Sequence, residues 1–557
     1  MSAGKSRKQA LPEPTRRDAL RMLLGGTAFI GLTPAQVLLS SLVDGMISEA
    51  RAQEAGTQSK RLVTILLSGG PCRWGFDLPL HPLSPKLDPS LSVPPAVITR
   101  FKNGKGVYEL EPFTGNGGKT IYMPPLWKTQ VPTGAGGTAP LSNLLKSCLI
   151  MRGIRMPTDG HGFNITHQFQ PSASGPSLLG LAADAAVSEP LPAVGVNGNA
   201  PFRSIRGISM EVIAPHPFAF DIKMAKTALS PYSRAEANQA NAQLDALLAR
   251  RKAMDSFISS ALQLLGKRTQ EENPASSALW TANNRAEKIL KDGLPDLIGA
   301  WQEAYLRYKK IAELCAATKI PGITDQDAAP LDAFCQTLGG VQIAPSLSQS
   351  HRPENRIRFL AENMAMVEVL LTNGMSRAIH LNVNVMDLPV AGKEVFFDEH
   401  TTGSHLSAVL NAFLFQTLGA MLLELSSVLE KKGLYSDTVF QLFGDFPRTT
   451  RPAGENQLAG SDHGWKGNVT TLFGGGIDGL HVLGSIAPEG AAGLWGAGAR
   501  PKGAKDFMAA GHLGSSIAQI LNVKSPTPNF PPFLTCSDGK LSYDDAMQPT
   551  ENPNEVV

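Results

Sequence analysis

The feature that most constrains this chain is a set of short, continuous apolar runs that end at glycine and are separated by long amphipathic segments. Arg61-Leu-Val-Thr-Ile-Leu-Leu67 is rich in β-branched and aliphatic residues and stops at Ser68-Gly69-Gly70. Leu144–Met151, Ala378–Val385, Thr438–Phe443 and Val469–Phe473 have the same character. A strand that is apolar on both faces belongs inside a sheet covered on both sides. Between these runs, Arg356–Thr372 and His405–Lys432 carry apolar residues at helical spacing and stop at Gly374 and Gly433. The pattern predicts an α/β fold with a mostly parallel sheet and helices on both faces.

The remaining segments are of other kinds. Residues 75–140 are rich in Gly and Pro and read as long loops. A helical insertion is expected over about 230–318. Leu247, Leu248, Met254, Phe257, Ile258, Leu262 and Leu265 form one stripe, and Leu297, Trp301, Tyr305, Tyr308, Ile311 and Cys315 form a second. The two predict a helical hairpin of structural role. The Pro-rich segment from about 525 to 557 reads as a tail that wraps the surface or stays partly disordered.

The first 52 residues carry an address. Lys5, Arg7, Lys8, Arg16, Arg17 and Arg21 precede a mildly apolar run, and Ala50-Arg51-Ala52 offers a small-x-small cleavage site. Thr15-Arg16-Arg17-Asp18-Ala19-Leu20 resembles a twin-arginine export signal. The expected location is the periplasm or the exterior, with residues 53–557 forming one α/β domain. Gly25, Gly26, Gly31, Pro34 and Asp44 make the apolar run a poor membrane-spanning helix. No stable span is expected after signal cleavage. Without residues 1–52, acidic and basic residues are equal in number, which argues against a nucleic-acid footprint. The five cysteines include no C-x-x-C pair, which argues against a thiolate zinc site.

Chemistry concentrates at successive element ends. Asp398 and His400 precede a long helix, Asp445 follows a strand, and Asp462 and His463 precede another strand. In an open α/β sheet such ends meet in one crevice. Carboxylate and imidazole together suit zinc, manganese or iron. Arg448 offers a planar guanidinium for an anionic group, or a salt bridge to Asp445 or Asp462. The polar stretch Thr158–Ser177 holds His161, Asn164, Thr166, His167, Ser172 and Ser174. His481 reads as a structural histidine, and Gly474–Gly476 as a tight strand-end turn without the Lys-Ser/Thr of a P-loop.

The order D-x-H, long helix, strand, (E/D)-F-x-R-T, G-x-D-H, strand, G-G-G resembles a family of twin-arginine-exported bacterial proteins of unknown function, placed in the alkaline phosphatase-like (sulfatase-like) superfamily. The likeness is strongest over residues 375–490. It implies an alkaline phosphatase-like core and divalent metal (zinc, manganese or calcium) held by Asp398, His400, His463 and Asp445. It also implies a hydroxyl nucleophile, for which Thr166 is the first choice and Ser172 and Ser174 the rivals. The implied partner is an anionic small-molecule or polymer ester of phosphate or sulfate, with Arg448 neutralising the anion. Two departures stand out. Phe446 occupies the position of a second-site histidine, and the acid nearest Gly69-Gly70 is Asp77, seven residues beyond Gly70. They leave a second reading open, a non-catalytic periplasmic or surface binding scaffold with a degenerate metal site.

Overall fold

The apolar runs pair as the pattern requires. In a computed structural model, residues 59–78, 98–102, 105–107, 109–158, 160–185, 189, 191–205, 208–215, 294–317, 354–383, 388–390, 393–395, 404–450, 461–463, 467–484, 488–489, 494–495, 508–537 and 540–543 are described. The sheet strands are β1 (Arg61–Leu67), β2 (Ser147–Ile154), β3 (Ala193–Val196), β4 (Glu211–Ile213), β5 (Ala378–Val383), β6 (Thr438–Gly444), β7 (Asn468–Gly474) and β8 (Gly479–Leu483). Their spatial order is β4-β3-β5-β1-β6-β7-β2-β8. β7 runs antiparallel to both neighbours, β6 and β2. The other pairings are parallel. The sheet is therefore mixed and mostly parallel.

Both faces are covered. On one side α1 (His161–Phe169), α2 (Leu178–Asp184) and α6 (Ala510–Leu521) seal a core that includes Leu62, Leu66, Phe169, Leu179, Phe443, Leu472, Leu513 and Ile517. The other side carries α3 (Leu294–Ala317), α4 (Glu354–Thr372) and α5 (Ser404–Lys431), which pack on one another. Burying side chains of this size contributes roughly 1.5–3 kcal/mol each, so the two layers supply the main force for folding. α3 is part of this layer. Its Trp301, Tyr308, Ile311 and Cys315 are buried, and Tyr308 donates to Glu368 of α4 at 2.7 Å. The expected partner stripe, residues 247–265, lies outside the described residues, as does the export segment.

Two further segments differ from the loop and tail expectations. The described part of residues 100–140 forms three antiparallel ribbons. Their alternation is short, and proline sits inside it at Pro112, Pro132 and Pro140, which hid the strands from a reading based on apolar runs. The start of the tail is packed: Leu534 is buried, and a hairpin pairs Leu534–Ser537 with Lys540–Tyr543. Tyr543 then meets His481 Nδ1 at 2.7 Å, while His481 Nε2 bonds to Asp478 O at 2.8 Å. Both nitrogens of His481 are thereby used in holding the sheet edge.

His380 is the most deeply buried imidazole of the sheet. It sits mid-strand in β5 with no solvent exposure, its Nδ1 3.1 Å from Thr64 Oγ1 and its ring edge-on to Phe169. Burial disfavours the charged ring and lowers its pKa to about 3. The unfolded chain protonates this residue near pH 6.5. Between those values the unfolded state binds more protons, so acid costs stability as the pH falls below about 6.5. His380 is expected to account for about 2 kcal/mol of stability lost between pH 7 and pH 5. Urea unfolding at both pH values should show that share missing in His380→Leu. An unchanged pH dependence would contradict a neutral buried ring.

Candidate functional site

The sheet brings one set of polar groups to the C-terminal ends of its parallel strands. Leu67 and Gly444 are register partners at the ends of β1 and β6. Beyond Leu67 the chain turns at Gly69 and Gly70, with φ of 92° and 61°. These are left-handed conformations that glycine adopts without strain. Beyond Gly444 stands Asp445. β2 ends at Ile154 and leads into α1, whose first residue is His161. Because β7 is reversed, its N-terminal end lies at the same edge, and the segment before it carries His463. A two-strand ribbon pairs Arg448–Thr450 with Ser461–His463, placing Arg448 opposite His463.

Asp445 is the hub. It is 1% exposed, and its Oδ2 accepts from the Gly69 backbone N–H at 3.0 Å and from His161 Nδ1 at 2.7 Å. Gln168, the penultimate residue of α1, donates to Gly444 O at 2.6 Å and ties the helix to the same strand end. Asp445 Oδ1 is buried and has no hydrogen-bond partner among the described residues. A buried carboxylate oxygen in that condition costs about 1–3 kcal/mol, and it is the kind of atom a cation or ordered water satisfies.

Three rings gather above this carboxylate. His161 and His463 meet edge to face with centroids 4.6 Å apart. Phe446 lies against both, at 4.6 Å from His161 and 4.1 Å from His463. The Phe446 ring also covers Gly70, where an added Cβ would come 3.0 Å from Cε2. The Arg448 guanidinium sits 5.0 Å from the centre of the same ring. The His161 side chain keeps 37% exposure against 2% for Asp445, so the imidazole is the member of this pair that solvent reaches.

The sequence-derived candidates are distributed as follows. Asp445 and His463 do come to one place, joined by His161. Asp398 and His400 lie outside the described residues. Arg448 is buried; its Nε donates to Gly70 O at 2.6 Å and its Nη2 to Gly69 O. That makes it a strut under the glycine turn. Thr166 is exposed, and its hydroxyl donates back to Gly162 O at 2.8 Å within α1. At five residues from His161 it projects from a different side of the helix. The structure thus gives the expected nucleophile an ordinary helix-surface hydroxyl. Ser174 is exposed as well, in the turn after α1, and Ser172 O accepts from Gly175 N there. Asp77 is fully buried in an ion pair with Arg73 and accepts from Thr471 Oγ1 at 2.7 Å, which explains it as a structural acid. Gly475 N donates to Thr438 O at 2.8 Å and Gly475 O accepts from Lys60 Nζ, so Gly474–Gly476 closes a turn at the opposite edge of the sheet.

His161 is the residue that sequence reasoning did not single out. Its partner Asp445 lies 284 positions away, and no acid within its own helix marks it. The usable signal was its place: the first residue of a helix that follows a buried strand. For a divalent ion, the donor chemistry here fits, with one carboxylate, two imidazoles and an unsatisfied buried oxygen. A group of three or more such side chains arranged to hold an ion is not assembled among the described residues.

Residues 358–493 match a family model described as "protein of unknown function (DUF1501)". The matched stretch covers β5, α5, β6, the ribbon, β7 and β8, and so contains Asp445, Arg448 and His463 but not His161. Neither the curated proteins nor the solved structures contain a match.

The strut role of Arg448 has a direct consequence. Arg448→Met keeps an apolar stem beside Phe446 and loses both bonds to the glycine carbonyls. A buried charged hydrogen-bond donor removed in this way is expected to cost about 2 kcal/mol or more. Thermal unfolding checks it. Unchanged stability with only ligand binding weakened would instead mark Arg448 as an anion clamp.

Proposed function

We propose that this chain is an exported, metal-dependent hydrolase of phosphate or sulfate esters on an alkaline phosphatase-like core. The observation that supports the reading is Asp445. It is a buried carboxylate at the C-terminal edge of the parallel strands, beside two imidazoles, with one oxygen unsatisfied among the described residues. That edge is where open α/β sheets place their sites. The sequence resemblance assigns the ion to Asp398, His400, His463 and Asp445. A divalent ion there would polarise an ester oxygen and lower the pKa of an attacking water. The chain's own contributions are a rigid floor and an oriented imidazole. Arg448 fixes the Gly69-Gly70 turn, the turn's N–H fixes Asp445, and Asp445 fixes His161. Among the described residues no helix is long and apolar enough to cross a membrane.

A second reading, a binding scaffold with a degenerate site, is favoured by one observation. Phe446 fills the place of a second-site imidazole and packs tightly on Gly70, His161 and His463.

Protein exported by its own leader, which Arg16→Lys with Arg17→Lys should hold in the cytoplasm, separates the two readings. The hydrolase reading expects about one bound divalent ion per chain and turnover of an aryl phosphate or aryl sulfate that a chelator abolishes. Bound metal without turnover of either ester would leave the scaffold. Folded protein that holds no metal after exposure to zinc or manganese would remove the basis of the hydrolase reading.

A further inference from the structure

We infer that the side-chain pair Ser68–Asn382, at the C-terminal ends of β1 and β5, is a binding subsite for a neutral hydroxyl-bearing ligand, a sugar or polyol. The inference goes beyond the ester reading and needs no metal.

The order of the strands picks out the place. From β3 the chain passes outward to β4, at the edge of the sheet. From β5, the parallel neighbour of β3, it passes the other way, beyond β1 to β6. The two connections also take opposite faces. Phe202, Ile208 and Met210 of the first pack on the core under α1, α2 and α6, whereas the second contains α5 of the other layer. Neighbouring strands whose connections diverge in this way leave a crevice outside their carboxyl ends, and open α/β sheets bind ligands in that crevice. β3 ends at Val196 and β5 at Val383, which brings Asn197, Gly198 and Asn382 to it.

The chemistry of the pair selects the ligand. Ser68 Oγ donates to Asn382 Oδ1 at 2.8 Å, and both residues are half-buried. Gly198 closes on the same amide: a Cβ added there would stand 3.0 Å from Asn382 Cβ and 3.6 Å from its Nδ2. Among the described residues neither side chain makes another hydrogen bond. The pair is uncharged and keeps two N–H donors on Nδ2 and the lone pairs of Oγ. A ligand hydroxyl uses both kinds, because it accepts from an amide N–H and donates to an oxygen. A phosphate or sulfate oxygen only accepts, and would face the oxygens of Ser68 and Asn382 with no proton between them. Turning the amide over, with Nδ2 donating to Oγ, still leaves donors and acceptors side by side. Two adjacent hydroxyls, one on Nδ2 and the next on Oγ, complete the pair, and sugars and polyols carry them. Ser68 directly precedes Gly69, whose N–H holds Asp445, so the subsite borders the Asp445 cluster.

The test uses full-length exported protein in the presence of a chelator, so its outcome is separate from that of the ester reading. The probes are myo-inositol, methyl glucoside and inorganic phosphate. Binding is read by saturation-transfer nuclear magnetic resonance and by the side-chain amide signal of Asn382. Wild-type protein should bind at least one of the two polyols saturably, with a dissociation constant on the order of 1 mM. The Asn382 amide signal should shift with the polyol and stay in place with phosphate. Ser68→Ala and Asn382→Leu should each weaken polyol binding about tenfold, the value of one hydrogen bond. Near-ultraviolet circular dichroism checks folding, and Ser68→Ala, which deletes a single hydroxyl, carries the test if Asn382→Leu does not fold. Thr166→Ala, on the exposed side of α1, should bind as wild type does. No saturable binding of either polyol by wild-type protein overturns the inference. So does wild-type affinity in folded Ser68→Ala, a loss of binding in Thr166→Ala, or an Asn382 signal moved by phosphate and not by the polyols.

Discussion

The site is organised around a buried carboxylate. Asp445 lies where β1, β6 and α1 meet, and its single oxygen Oδ2 takes a backbone N–H from one element and an imidazole N–H from another. An ionised carboxylate removed from water is costly unless charged or dipolar partners replace the water. The glycine turn supplies one such partner because its left-handed conformation turns the Gly69 N–H toward Asp445. Arg448 then braces the turn from below through the two glycine carbonyls. Each of these groups needs the others, so the strand ends and the first turn of α1 are held as one unit.

The reversed strand β7 has a specific part in this. In an all-parallel sheet the segment before β7 would lie at the far edge, away from Asp445. Running antiparallel, β7 begins at the same edge as Asp445, and the ribbon that precedes it sets His463 opposite Arg448. Phe446 then fills the space among His161, His463, Arg448 and Gly70. An added Cβ at Gly70 would crowd that ring at 3.0 Å, so the turn packs closely on the aromatic cluster.

Much of the fold was legible in the sequence, and the reason is burial. β1, β6 and β7 are apolar on both faces, and their ends fall within a residue of the expected bounds. α4 and α5 were likewise marked by helical spacing and terminal glycines. The reversal of β7 was not legible, because a buried strand has the same composition in either direction. The ribbons of residues 100–140 were missed because their exposed, proline-containing alternation is a weak signal. In the site, Asp445 and His463 were found from their places at element ends. His161 was not, since its meaning comes from a partner hundreds of residues away. Arg448 was read by its charge, whereas its backbone partners, the carbonyls of Gly69 and Gly70, leave no mark in a sequence.

The organisation of the site depends on which nitrogen of His161 carries the proton. Long-range proton–nitrogen correlation spectra of protein containing ¹⁵N-labelled histidine, with the signal assigned by its loss in His161→Asn, read this directly. The expected result is a ring protonated at Nδ1, held by Asp445, with Nε2 as the unprotonated nitrogen. A ring protonated at Nε2 and bare at Nδ1 would mean that Asp445 does not hold it, and the organisation described for the site would be wrong.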